Sequence, residues 1–380
     1  TMSIINWLRD PVPTYYLFEW HSWDNDVRSE LRLQPLSATA LQSSCGFPDS
    51  WNHGEVNITA YYFTDDPKTL RPDHLTNNSN DPNQNTDVAM NLDLPPRLKN
   101  EGKFHECLDV SIDNFKYFQS KQDGSAKFLN VVQGDDEHTY KHWYDQVKDF
   151  DFNGWGIGGA GGSLYRFMSG VHALLQGKEH LNLRNEYFHI LGTSKIRDFL
   201  MLIQLQKSLE DIGSNIVVTT DSSSPDRAVV FGTYYTRFSI KKATFESINF
   251  PSEKHNPDII EWFRETPNQD WPRMTAFDDV LRGLVSWKDV ADWNTQCTMG
   301  MRLHNFYVFK DAIRNVTELI YGHDYILKQA VDSEVYKVLR SIDDMVKSED
   351  PSRVFESYKQ LYMKMSNTKK QPTNSTHNFF

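Results

Sequence analysis

Apolar segments of strand character alternate with helix-compatible segments between residues 39 and 221. The candidate strands are Thr39–Phe47, Asp87–Asp93, Lys127–Gly134, Trp155–Ile157, Asn185–Gly192 and Ile216–Asp221. The candidate helices are Phe104–Gln122, Glu137–Lys148, Leu164–Gln176 and Lys195–Ile212. This alternation predicts an α/β fold with a parallel sheet, and the sequence after Trp287 is mostly of helical character.

The chain length favours a closed barrel as the form of this sheet. A chain of 380 residues can hold one large barrel or two ordinary domains. We expect a (β/α)8 TIM-type barrel with a helical C-terminal portion rather than an open doubly wound sheet. The expected division is an irregular segment 1–38, the barrel 39–320, helices packed on the barrel over 321–364 and a polar, disordered tail 365–380.

The cysteine, apolar and charge content narrows the class of protein. Cys45, Cys107 and Cys297 lie far apart, which argues against a disulfide framework or a structural zinc site and favours a reducing compartment. The chain contains no run of 18 apolar residues and no signal-peptide pattern, so we expect a cytoplasmic protein without membrane contact. The net charge of −11 argues against non-specific nucleic-acid binding, but not against an enzyme with basic residues on one face.

Six glycines fall between residues 154 and 162, within and after one candidate strand. Glycine has no Cβ, so backbone N–H groups in such a stretch can approach a ligand closely. Glycine-rich strand ends also bind phosphates, but no lysine follows as in a P-loop, and the acidic residue of a dinucleotide-binding motif is not convincing. The stretch is therefore either a ligand-facing turn or a structural bend.

Three strands end in polar side chains that can carry chemistry: Asp93, Gln133 and Asp221. A carboxylate after an apolar strand is unfavourable unless it is paired, hydrated or used. The alternative for each residue is a structural one, as the N-cap of the next helix. For Asp221 the following Ser-Ser-Ser-Pro turn makes that alternative strong.

Taken together, these stretches resemble the tRNA-guanine transglycosylases and their relatives that insert 7-deazaguanine bases into phage and bacterial DNA. The matching motifs are DVAMNLD (87–93), FLNVVQGD (128–135), FNGWGIGGAGGS (152–163), YFHILGT (187–193) and VVTTD (217–221). A looser match, MRLHNFYVFKDAIRNV (301–316), is similar to a His-Asn helix near the family's C-terminus. The order and approximate spacing agree over residues 40–320.

The resemblance implies a (β/α)8 barrel that exchanges a guanine-type base at a nucleoside C1′ without a cofactor. In the family, the aspartate at the position of Asp221 attacks C1′ and holds a covalent glycosyl intermediate. The residues at Asp93 and Gln133 hydrogen-bond the base. The backbone of Gly158, Gly159 and Ala160 presents further donors to it. A carboxylate suits the first role because it can attack the sugar and also leave it.

Two departures from the family pattern bear on mechanism and substrate. The family has an aspartate as general acid/base where this chain has Ser43, and Asp49 is close enough to replace it. The family's zinc site of three cysteines and a histidine is missing, so we expect no zinc subdomain. Together with the small size, this favours the phage-type DNA branch over tRNA, as a phage-encoded enzyme in the host cytoplasm.

A basic and aromatic segment follows Asp221. Thr233–Lys242 contains the aromatic side chains Tyr234 and Tyr235 and the basic side chains Arg237, Lys241 and Lys242. Aromatic side chains can stack on bases and cations can follow phosphates, so this segment is a candidate nucleic-acid surface. The alternative is an ordinary exposed β-hairpin or strand.

Two other functions remain open on the sequence. The chain could be a catalytically silent transglycosylase relative that binds a base or a nucleic acid, as Ser43 suggests. It could also be an unrelated TIM-barrel enzyme that acts on a small metabolite. In that case Asp93 and Asp221 would form an acid/base pair.

Overall fold

The computed structural model of the chain describes residues 2–3, 58–59, 88–96, 100, 102–121, 127–160, 163–193, 195–222, 224–249 and 295–366. The candidate strand 39–47 lies outside these residues, and so do Ser43 and Asp49.

The strands form one large sheet and one hairpin. The strands are β1 Met2–Ser3, β2 Ile58–Thr59, β3 Val88–Met90, β4 Lys127–Val132, β5 Gly154–Ile157, β6 Tyr187–Ile190, β7 Val217–Thr220, β8 Thr233–Ser239 and β9 Thr244–Asn249. The large sheet has the order β1-β7-β6-β5-β4-β3-β2, and β8 pairs with β9 as a separate antiparallel hairpin. Neighbours from β2 to β7 are parallel, whereas β1 runs antiparallel to β7.

Helices connect the strands and continue to the end of the described chain. They are α1 Phe104–Lys121, α2 Glu137–Val147, α3 Leu164–Gln176, α4 Ile196–Asp211, α5 Ser224–Val230, α6 Thr295–Tyr321, α7 Asp324–Ala330, α8 Ser333–Lys347 and α9 Pro351–Ser366. A short 3-10 helix, Glu179–Leu181, precedes β6. Helix α9 continues through Ser366, two residues into the segment expected to be a disordered tail.

The expected α/β class is confirmed, and β3 to β7 form a curled half-barrel of five parallel strands. From β2 to β7 consecutive strands are neighbours, so the order of these parallel strands never reverses as it does in a doubly wound fold. The N-terminal segment, expected to be irregular, contributes β1, which hydrogen-bonds to the exposed edge of β7 at Thr219 and Thr220.

The two faces of the sheet differ in what they carry. On one face, Ile157 packs against Gly170 of α3, and the Asn130 amide donates to the Val147 carbonyl of α2 at 2.6 Å. A Cβ at Gly170 would lie 2.4 Å from the Ile157 side chain, so this glycine sets how closely helix and sheet approach. Because side chains alternate along a strand, the strand residues next to Asn130 and Ile157 in the chain occupy the opposite, inner face of the half-barrel.

The last helix reaches the edge of the sheet where the parallel strands end. Helix α9 packs along α3, and its final turn contacts the first turns of two helices. The Ser366 hydroxyl accepts a hydrogen bond from the Tyr165 N–H at 2.8 Å, and Arg197 of α4 donates to the Met365 carbonyl at 3.2 Å. These two bonds tie the C-terminal helix to the residues that follow β5 and β6.

None of the helices in the described ranges combines the length and the apolar character needed to cross a membrane.

Candidate active site

Four of the predicted site residues lie at one edge of the sheet. Asp93 follows β3, Gln133 follows β4, Gly158 follows β5 and Asp221 follows β7. Because these strands are parallel, their C-terminal ends meet at the same edge. The expectation that these residues share one rim of the sheet is confirmed.

Strand register places most of these residues on the same face as well. One row of paired residues crosses the four strands from β4 to β7, namely Val131, Gly156, His189 and Thr219. Two residues further along, at the strand ends, the same inner face carries Gln133, Gly158 and Asp221. The closeness of the first two supports this, since a Cβ built on Gly158 would lie 1.9 Å from Gln133 Nε2.

Asp93 and Gln133 form a hydrogen-bonded pair over Gly158. Gln133 Nε2 donates to Asp93 Oδ2 at 2.7 Å. The Gln133 side chain is buried, and its Oε1 has no hydrogen-bond partner among the described residues. A buried amide oxygen without a partner is unfavourable, so this atom is suited to accept from a ligand. Any side chain at position 158 would occupy the space that Gln133 uses.

The expectation that the backbone of residues 158–160 donates to a base is corrected at Gly158. Its N–H donates to the Val132 carbonyl at 2.9 Å, and its own carbonyl accepts from the Tyr140 hydroxyl at 2.6 Å. Gly158 therefore contributes its missing side chain rather than an N–H group. Gly159 has φ +75°, a region that favours glycine, and Ala160 is buried.

The structural alternative is wrong for Gln133, because another residue caps the helix that follows it. Helix α2 is capped by Asp136, whose carboxylate accepts from the Thr139 N–H at 2.8 Å, rather than by Gln133. For Asp93, the described hydrogen bond of its carboxylate is to Gln133 rather than to a helix N-terminus. In the turn after β7, the Ser222 hydroxyl accepts from the Ser224 N–H at 3.1 Å.

The Asp221 carboxylate is instead held by the neighbouring strand. Its Oδ1 accepts from the Gly192 N–H at 2.8 Å and from His189 Nε2 at 3.4 Å. The side chain is 28% exposed, whereas that of His189 is fully buried. Asp221 is therefore anchored on the protein side and open to a ligand on the other.

The pKa of Asp221 lies below its ordinary value. Burial alone would raise this pKa. The hydrogen bond from His189, the electrostatic interaction with the His189 ring and the hydrogen bond from the Gly192 N–H together outweigh that effect. The carboxylate is consequently ionised at neutral pH, which is the form that a nucleophile or a base requires.

His189, Thr219 and Gly192 belong to the site, although no sequence pattern singled them out. His189 Nδ1 lies 2.8 Å from the Thr219 hydroxyl, and both side chains are fully buried. His189 lies inside the motif YFHILGT, one residue before the end of β6. This position near the strand end was the only sequence signal that it belongs to the site. A buried histidine on the inner face, pairing across to the strand that ends in Asp221, can be recognised only once the register is known.

Two basic residues of the hairpin, Arg237 and Lys242, lie beside Glu246 of β9. Arg237 forms an ion pair with Glu246, and Lys242 Nζ is 3.9 Å from the same carboxylate. The Arg237 and Lys242 side chains are 74% and 73% exposed, and Lys241 is exposed too. The segment is indeed one strand and the turn of a hairpin, as the structural alternative expected.

The two tyrosines of the hairpin are engaged inside the protein. Tyr234 is only 1% exposed, and its ring stacks on His304 with the centroids 3.9 Å apart. Tyr235 is half-buried and stacks on Phe245 at 4.8 Å. Stacking on a base needs an exposed ring face, so the expectation that Tyr234 contacts nucleic acid is wrong.

The His-Asn pair of the looser motif joins the hairpin to α6. His304 Nε2 donates to the Tyr235 carbonyl at 2.7 Å, and Nδ1 accepts from the Tyr234 hydroxyl at 2.9 Å. Asn305 Oδ1 accepts from the Tyr235 N–H at 2.8 Å, and its Nδ2 donates to the Thr233 carbonyl at 2.9 Å. In this chain the pair fixes the segment that follows the candidate nucleophile.

No protein-family model matches the chain, and no curated protein matches it significantly. Within the part of the chain that the structure describes, no three His, Cys, Asp or Glu side chains are arranged to hold a metal ion.

Proposed function

We propose that the protein is a base-exchanging transglycosylase that replaces guanine in nucleic acid, DNA rather than tRNA, with a 7-deazaguanine base. The observation that carries this proposal is the pairing of two unlike groups at one edge of the sheet. One is an ionised, partly exposed carboxylate, Asp221, and the other is the Asp93–Gln133 pair with its buried acceptor oxygen. A nucleophile at the same sheet edge as a polar edge-reading pair, with β5 and β6 between them, suits a nucleobase attached to a sugar.

In the proposed reaction Asp221 attacks C1′ of the nucleotide. A bond forms between its carboxylate and C1′, and the bond from C1′ to the base nitrogen breaks with its electron pair going to the base. The departing base then takes up a proton. The incoming base loses a proton, attacks C1′ and releases Asp221. A carboxylate divides one difficult substitution into two easier ones.

Recognition of the base falls to the pair over Gly158. Acceptor atoms on Gln133 and Asp93 match N–H donors on the edge of a guanine-type base. The missing side chain at Gly158 makes room for the Gln133 amide, which holds this reading group close to the strand. Because Ser43 stands where the family has its aspartate, the proton carrier is assigned to Asp49 or a water. Ser43 and Asp49 both lie outside the described residues.

The rest of the proposal concerns architecture and partner. The half-barrel would continue to a closed (β/α)8 barrel through segments outside the described residues, with the antiparallel β1 beside β7 as a departure from the all-parallel ring. Arg237, Lys241 and Lys242, with the exposed part of Tyr235, would contact the phosphate backbone near the site. Tyr234 is left out of this surface because it is buried.

An exchange assay tests the proposal. Purified protein is incubated with labelled guanine or a 7-deazaguanine and with duplex DNA, single-stranded DNA or tRNA. We expect label in DNA and a denaturation-resistant adduct with the polymer. Base binding without exchange or adduct would instead identify a silent relative. If the protein neither binds nor exchanges a base, the result would favour a TIM-barrel enzyme that acts on a small metabolite.

A further inference from the structure

The two oxygens of the Asp221 carboxylate have different surroundings. Oδ1 accepts from both Gly192 N–H and His189 Nε2. Oδ2 accepts no hydrogen bond from any described residue. Donors reduce the electron density of the oxygen that they contact, so the oxygen without donors is the stronger nucleophile. The asymmetry therefore distinguishes an anchored oxygen from a reactive one.

The tautomer of His189 follows from its two partners. An ionised Asp221 can only accept, so His189 Nε2 must carry the proton between them. In the neutral ring Nδ1 then accepts from the Thr219 hydroxyl at 2.8 Å. Thr219 lies opposite His189 in the β6–β7 register, so the two strands fix the ring from behind.

The position of His189 rules out contact with the substrate. Its side chain is fully buried, in the row beneath the one that carries Asp221. The ring reaches the site only through Oδ1. It can therefore orient the carboxylate and keep it ionised, but it cannot deliver a proton to a departing base.

We infer that His189 is a positioning residue that holds Asp221 by Oδ1 in the tautomer set by Thr219, so that Oδ2 is the oxygen that attacks C1′. The inference rests on the proposed function. In the covalent intermediate the new bond joins Oδ2 to C1′, while Oδ1 keeps both donors. The attacking carboxylate thus needs no rotation between the free and the bonded state.

Kinetics on matched variants test the role of His189. His189→Leu removes the donor, whereas His189→Gln places an amide N–H near the position of Nε2. We expect kcat to fall by about tenfold to a hundredfold in His189→Leu, with the KM for the base unchanged, and to recover in large part in His189→Gln. An unchanged kcat in His189→Leu, or equal losses in both variants, would overturn the inference.

Two further variants guard against a loss that is only structural. Thr219→Val keeps the shape of the side chain and removes the hydroxyl, so it should lower kcat by a smaller factor, about threefold. His172→Gln alters another buried histidine, which contacts Ser352 and lies on α3 away from the sheet edge. It should change the melting temperature but not kcat per folded molecule. A fall in kcat with His172→Gln that matches His189→Leu would contradict a specific role.

A measurement without substrate separates this inference from the proposed function. Nitrogen NMR of histidine-labelled protein at neutral pH, with His189→Gln for assignment, reports which ring nitrogen carries the proton. We expect a proton on Nε2 and a resonance that shifts in Asp221→Asn. A proton on Nδ1 alone would overturn the inference even if exchange is observed. If no base is exchanged but the resonances behave as expected, the proposed function fails and the anchoring of Asp221 stands.

Discussion

His189 and His304 are both fully buried, and both use both ring nitrogens, yet they differ in where their hydrogen bonds lead. One hydrogen bond of His189 goes to the buried Thr219 hydroxyl, and the other goes to the Asp221 carboxylate, which is 28% exposed at the edge of the sheet. The hydrogen bonds of His304 lead to the Tyr234 hydroxyl and the Tyr235 carbonyl, inside the protein. Burial and satisfied hydrogen bonds therefore do not separate a functional histidine from a structural one. The exposure of the last group in the network does.

The sharpest test of this difference is the carboxylate at the end of the His189 network. Asp221→Asn keeps an acceptor for the Gly192 N–H but removes the negative charge, so we expect the fold to remain and exchange to fall by about a thousandfold or more. Exchange rate and thermal unfolding are measured on the same preparation.

Asp226→Asn is the matched control for Asp221→Asn. Asp226 also follows β7, but its carboxylate is paired with Arg302 of α6 at 2.8 Å. We expect some loss of stability and nearly full exchange. If the two variants lose activity equally, the distinction between the sheet edge and the α6 contacts breaks down.

A second test concerns the base pocket. In Gly158→Ala the new methyl would lie 1.9 Å from Gln133 Nε2 and displace the amide that holds Asp93. We expect base affinity to fall by about tenfold to a hundredfold, as measured by calorimetry. Gly213→Ala is the control, because this glycine has φ +78° and no atom within 4 Å of the added methyl. It should lower stability through backbone strain without weakening base binding.

A third test addresses the structural network directly. Asn305→Ala removes the acceptor of the Tyr235 N–H and a donor to the Thr233 carbonyl, so we expect the free energy of unfolding to fall by about 2–4 kcal/mol. Exchange per folded molecule should fall much less than in Asp221→Asn. Asn315→Ala on the same helix removes only a local bond to the Asp311 carbonyl and should have a small effect on stability.

The smallest effect is expected on the hairpin surface. Replacing Arg237, Lys241 and Lys242 with alanine should weaken DNA binding similarly across sequences and reduce its dependence on salt. Stability should barely change, because exposed ion pairs such as Arg237–Glu246 contribute about 0–1 kcal/mol. Lys116→Ala, an exposed lysine on α1, is the control. An unaltered salt dependence in the triple variant would return the hairpin to a purely structural role.

Local pattern predicted the elements of the half-barrel well. Helix 164–176 agrees with α3, and the segment 216–221 contains β7 with Asp221 directly after it. These elements carry their own signals, apolar periodicity and a polar or glycine end. The strand β1 carries no such signal in two residues, and it exists because the edge of β7 offers hydrogen bonds.

The site was predictable only as far as single residues reveal it. Asp93, Gln133 and Asp221 stood out because a polar group follows an apolar strand. The link from His189 to Asp221 depends on cross-strand register, which no local pattern gives. The misassignment of Tyr234 has the same origin, because its partner His304 lies 70 residues away in sequence.

The contact between α9 and the sheet edge also sets an order of events during synthesis. Tyr165 hydrogen-bonds Ser366 across 201 residues, and Arg197 hydrogen-bonds Met365 across 168. Folding on the ribosome proceeds from the N-terminus, so β3 to β7 are made long before α9. The helices that border the candidate site can therefore reach their final hydrogen bonding only after translation has passed residue 366.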